Sequence, residues 1–161
     1  MRQRHDIPDP VVELLRSVRG YRAERRMLER RLAFLRAEAE HITARYDGQP
    51  GGGGDPHKDA LLTELADRST ALDAAMRVCW KREDAVDDFI HSLPDYRHRA
   101  VLRLRYVECL SWAKVGEGLK SVGIFYEPRQ VFRLHGAALQ AARNAYPSWV
   151  KKHPEIGGRE Q

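Results

Sequence analysis

LPDYRHRAVLRLRYVECLSWAKVGEGLKSVGIFYEPRQVFRLHGAALQAARN, residues 93–144, decides the fold of this chain. It divides into three short helical signals. The first opens at Pro94, a residue favoured in a first helical turn, and repeats Val101, Leu102, Leu104, Val107 and Leu110 at helical spacing. Ser111 stands where a hydroxyl caps a second helix, on which Trp112, Val115 and Leu119 share one face. Gly116 and Gly118 each weaken that helix by about 1 kcal/mol relative to Ala, which implies close approach by a neighbouring helix. The third begins at Glu127-Pro128, because the proline fits a first turn and would break any helix begun earlier. Val131, Leu134, Ala138 and Ala142 line its inner side, and Arg129, Gln130, Arg133 and Ala137 its outer side.

The outer set carries the chemistry. A helix presented to the major groove needs side chains that reach base edges near its N-terminal end, where Arg pairs with guanine and Gln with adenine. Arg129, Gln130 and Arg133 are those types at that spacing. The bland alternative for such a set is a solvated helix face. Charge distribution argues for the reader: residues 95–152 hold eleven Lys and Arg against four Asp and Glu, net +7, whereas residues 1–94 hold sixteen against seventeen. A basic excess placed on the proposed reader favours an anionic partner. Arg97, Arg103, Arg105, Lys114 and Lys120 are the candidates for backbone phosphate contacts.

Leu93-Pro94-Asp95, the run Val101 to Tyr106, and Leu110-Ser111-Trp112 with Val115 and Leu119 together resemble region 4 of the sigma-70 family of RNA polymerase specificity factors. The run Tyr126 to Gly136 with Ala138-Leu139 resembles a narrower group, small sigma-70-region-4-like regulators of phages and prophages of Gram-positive bacteria. The resemblance implies a DNA-binding helix-turn-helix and contact with RNA polymerase. Two departures stand out. The connection from Lys120 to Tyr126 has seven residues where relatives use about three, and Glu127 occupies the position where a Ser or Thr caps the third helix. Glu is a poorer cap, although its charge suits the helix dipole.

Upstream, Pro8 and Pro10 exclude a helix before Val11. Leu14, Val18, Tyr21, Arg25, Leu28, Leu32, Leu35, Ala39, Ile42 and Tyr46 then alternate by steps of four and three, a coiled-coil-like seam that only Arg25 interrupts. The glycine-rich segment 47–57 is a linker, lacking the strand and Lys-Ser/Thr that a phosphate loop requires. A second long helix, from about Lys58 to His91, carries Leu62, Leu65, Ser69, Leu72, Met76, Cys79, Glu83, Val86, Ile90 and Leu93 on the same steps. The two helices bear opposite net charges, +4 over residues 11–46 and −4 over 55–93, so they are expected to pack as an antiparallel hairpin. A two-helix seam is thin, and further burial is expected through a homodimer of the N-terminal helices, or by docking on the C-terminal helices or on polymerase.

The expected architecture is therefore all-α: a helical hairpin over 11–92, a three-helix domain containing the helix-turn-helix over 93–146, and a tail over 147–161 that leaves the helix at Pro147. With 161 residues, 42% hydrophobic and 32% charged, the chain suits a soluble helical protein of one domain or two small ones. No membrane span or signal peptide is expected, and Cys79 and Cys109 read as buried reduced thiols in a cytoplasmic protein. The seven histidines form no ligand spacing, and Asp87-Asp88 is most simply the wet face of an acidic helix, so neither metal, cofactor nor catalysis is expected. The functional expectation is sequence-specific binding of double-stranded DNA in transcription regulation. The alternatives are a phage DNA-packaging component resembling a terminase small subunit, and a helical protein-interaction module.

Overall fold

A computed structural model describes residues 9–47 and 54–157; the glycines of the linker at 51–53 and the proline at position 8 lie outside the described residues. The chain is all-α, and its described elements are α1 (Pro10–Asp47), α2 (Pro56–His91), α3 (Tyr96–Leu102) running into a π-helical turn (Arg103–Val107), α4 (Trp112–Ser121), α5 (Pro128–Lys152) and a short α6 (Pro154–Gly157). They group into two compact units, one formed by residues 9–20 with 82–157 and the other by residues 21–81. The expected hairpin over 11–92 is thus divided: the first turns of α1 and the last turns of α2 share a unit with α3 to α6.

In the unit 21–81 the antiparallel helix pair packs along the expected seam. Leu32 and Leu35 of α1 and Met76 and Cys79 of α2 are buried, and Tyr21, Leu28, Ala39, Ile42, Leu62, Leu65, Ser69 and Leu72 are half-buried. Arg25, the residue that breaks the pattern, keeps its place on the seam by donating to Glu29 at 2.6 Å, one turn along.

The other unit holds most of the core. Val11, Leu15 and Val18 of α1 join Val86, Phe89, Ile90 and Leu93, then Val101, Leu102, Val115, Leu119, Ile124, Val131, Leu134, Ala138, Ala142 and Trp149. Asp9 starts α1, accepting from the Val11 N–H at 3.0 Å, and binds Arg143 of α5 at 2.7 Å. In the turn between α2 and α3, Arg99 donates to the carbonyls of Leu93 at 2.5 Å and Pro94 at 3.0 Å, tying the connection to α3.

Several local expectations are corrected. α3 begins after Asp95, not at Pro94: Asp95 is extended (φ −82°, ψ 118°) and its carboxylate accepts from the Arg97 N–H at 2.8 Å, so the acid rather than the proline sets the start. Ser111 occupies the cap position of α4, but its hydroxyl makes no capping bond. Cys79 is buried as expected, whereas Cys109 is exposed and has φ +56°, closing the π-helical turn in a left-handed conformation. The Glu108 N–H bonds to the Arg103 carbonyl at 2.9 Å and that of Leu110 to Leu104 at 3.1 Å, so one extra residue is accommodated before α4.

The helix also does not end at Pro147. α5 continues to Lys152, and Trp149 is buried with its ring 5.0 Å from Phe89 and 4.5 Å from His153. A proline inside a helix costs about 3 kcal/mol. Burying an indole removes about 150–250 Å² from water, which at about 25 cal/mol per Å² exceeds that cost. Pro147 and Arg143, whose carbonyl loses its helical partner there, are both exposed residues.

The two helix glycines of α4 differ. A Cβ on Gly118 would lie 2.8 Å from a Leu104 methyl, the close approach expected, while at Gly116 nothing lies within 4 Å. Gly116→Ala should therefore stabilise the protein by up to about 1 kcal/mol in urea unfolding, and Gly118→Ala should gain less because Leu104 must move. Gly123, with φ +84°, ends α4: its N–H bonds to Lys120 and that of Ile124 to Leu119, at 3.1 and 2.9 Å, while the Leu119 and Ile124 side chains are buried. Gly123→Ala should cost about 1 kcal/mol, and an unchanged unfolding midpoint would contradict this reading of the turn.

Candidate nucleic-acid interface

The turn after Gly123 sets the direction of α5. Ile124 is buried against the core, and Tyr126 places its hydroxyl 3.4 Å from Arg97, so the six residues between α4 and α5 are anchored at both ends. The longer connection relative to sigma region 4 is thus a folded turn with its own core residue. Val131, Leu134, Ala138 and Ala142 are buried as their spacing predicts. The opposite face presents Arg129, Arg133, Ala137, Gln140 and Asn144, all exposed. The Arg129 and Arg133 side chains make no hydrogen bond or ion pair with any described residue. Gln140 donates to Asn144 at 3.3 Å, extending the polar face by two turns. These two were missed, although the steps from Arg133 to Ala137, Gln140 and Asn144 are visible in the sequence.

Gln130 is placed differently. It is exposed, but its Oε1 accepts the Glu127 N–H at 2.8 Å, so its amide oxygen is turned back to cap α5. A glutamine reading adenine needs both its amide oxygen and its amide nitrogen. The expected base contact therefore competes with the cap, and the cap position that seemed weakened by Glu127 is completed from the third residue of the helix.

The proposed phosphate contacts separate into two groups. Lys114 and Lys120 are exposed on α4 and have no partner among the described residues. Arg103 is bound by both carboxylate oxygens of Asp87, at 2.7 and 2.8 Å. Arg105 donates to the Leu110 carbonyl at 2.7 Å and lies 4.6 Å above the Trp112 ring, fastening the π-helical turn to the start of α4. Arg97 pairs with Asp95 at 2.9 Å. Three of the five expected phosphate ligands are thus engaged within the fold.

The Arg97 guanidinium, together with the Arg97 backbone N–H, holds the Asp95 carboxyl down to about 2, below its ordinary value of 3.8. Its contribution to stability is therefore present above the ordinary carboxylate range and lost as pH falls through about 2. Asp95→Ala should cost about 0.5–2 kcal/mol at neutral pH. The gap between variant and wild type in denaturant melts should narrow as the pH is lowered.

On α5, His135 is half-buried, 3.1 Å from the Tyr106 hydroxyl and packed edge-on to Trp112 at 4.9 Å. Burial, then the charges of Arg105 and Arg143, push its pKa below the ordinary histidine value, which suits a neutral packing residue. Phe132 is half-exposed, with its ring 4.8 Å from Trp112. No described helix is long and apolar enough to cross a membrane. Compared with known proteins, the chain matches no family model, no curated sequence and no solved structure.

Proposed function

We propose that this protein acts in the cytoplasm as a sequence-specific DNA-binding regulator of transcription, reading the major groove with the first turns of α5. The observation that carries the reading is the pair Arg129 and Arg133: two exposed guanidinium groups one turn apart, without intramolecular partners, on a helix whose other face is locked into the core. Arginine is the side chain best suited to a bidentate contact with guanine. Lys114 and Lys120 supply phosphate contacts, while Gln130 contributes by fixing the start of the helix. The likeness to sigma region 4 adds RNA polymerase as a partner and a phage or prophage setting. Val122 and Phe125, exposed together in the turn before α5, offer an apolar surface for such a protein contact.

Fluorescence anisotropy with pooled genomic fragments across a salt series tests the proposal. Non-specific binding should fall near 10⁻⁴ to 10⁻⁶ M, with one fragment bound at least about 10³-fold tighter. Arg129→Ala/Arg133→Ala should abolish that preference and keep the weak background. Absence of DNA binding at low salt would overturn the reading in favour of the protein-interaction module.

A further inference from the structure

A second concentration of positive charge lies away from the outer face of α5. Arg16 and Arg19 of α1, three residues apart, line a half-open recess of about 270 Å³ together with Arg105, Tyr106 and Cys109. None of these residues is acidic, and the Arg16 and Arg19 side chains make no hydrogen bond or ion pair with any described residue. Arg105 is held in place by the Leu110 carbonyl and the Trp112 ring, neither of which neutralises it. Asp9, whose charge acts on Tyr106, is already occupied by Arg143 and by the first N–H groups of α1. Gathering three guanidinium groups around a concavity without a counter-charge is unfavourable, and an anion in the recess would offset it.

The chemistry of the recess favours a phosphate-bearing anion. Guanidinium forks match phosphate oxygens in pairs, and forks from two elements can each take one of two linked phosphates. The concave shape admits a small molecule more readily than the convex backbone of a duplex. We propose that this recess binds the diphosphate group of a small anion, inorganic pyrophosphate or a nucleotide, with Arg16 and Arg19 on one side, Arg105 on the other and the Tyr106 ring as a wall. Because Arg105 also fastens the π-helical turn to α4, the ligand sits against the residue that supports the helix-turn-helix.

Isothermal titration of the full-length protein with inorganic pyrophosphate and with ADP, at low salt and without DNA, tests this site independently of the DNA reading. Binding of one equivalent with a dissociation constant below about 1 mM is expected, weakened about tenfold or more by Arg16→Gln/Arg19→Gln. Both side chains are exposed, so the fold should be retained, which circular dichroism checks. Arg129→Gln/Arg133→Gln should leave pyrophosphate binding unchanged. Proton NMR supplies a second readout: burial first, and then the charges of Arg105 and Arg143, depress His135, and an anion beside Arg105 should offset that part of the effect, moving the midpoint of its ring-proton titration upward. No binding at about 10 mM pyrophosphate would overturn the proposal. So would equal weakening by the α5 variant, which would mean diffuse charge attraction. Loss of duplex affinity in Arg16→Gln/Arg19→Gln without any pyrophosphate binding would reassign these arginines to the DNA backbone.

Discussion

Phe89→Ala should lower the stability of the protein by about 3–5 kcal/mol, the usual range for removing a fully buried aromatic ring. Phe89 is 0% exposed, and its ring lies 6.0 Å from Tyr146 in an edge-on arrangement and 5.0 Å from Trp149. The substitution removes the partner of both rings at once, including the one that carries α5 past Pro147. Domains of ordinary stability have only about 5–15 kcal/mol in total, so the variant should be close to unfolding at physiological temperature. Urea melts followed by far-UV circular dichroism would show the loss. Met27→Ala, at a side chain 62% exposed in the other unit, should change stability by no more than about 0.5 kcal/mol. If the two variants lose similar amounts, the central place given to Phe89 is wrong.

On the proposed DNA reading, Arg133→Ala should cost about 1–3 kcal/mol at the preferred fragment and relax discrimination at one base pair, the result of losing the base-edge contact proposed for it. Lys114→Ala should weaken every sequence alike and reduce the salt slope by about 1, since a lysine on phosphate carries no sequence information. Arg103→Ala provides the contrast. Its guanidinium is held by Asp87, so its removal should appear in thermal unfolding and leave the salt slope unchanged. A reduced slope for Arg103→Ala would show that the ion pair opens on DNA and returns Arg103 to the phosphate-binding set.

The seams of α1 and α2 were legible because a four-three repeat depends only on residues close in sequence. The same holds for the inner face of α5 and for its start at Glu127-Pro128. Phe89 was not legible: it lies one step off the repeat, beside Ile90, and becomes core only because α5 returns to cover it. The fates of Arg103 and Arg105 depend on Asp87 and on the Leu110 carbonyl, which a count of basic residues does not register. Gln130 shows the same limit from the other side, since its residue type suits a base contact and a capping box equally well. Pro147 misled because the penalty for proline is local, whereas the compensating burial of Trp149 comes from a helix some sixty residues earlier.

The core around Phe89 also determines what can be cut out and moved. A fragment beginning at Leu93 would carry every turn of the helix-turn-helix and yet leave behind Val11, Leu15, Val18, Val86, Phe89 and Ile90. Those side chains are the floor on which α3 and α5 rest. The C-terminal helices are therefore not a portable cassette: a chimaera that borrows the proposed reading helix must also transplant the opening turns of α1 and the closing turns of α2, joined by some new bridge.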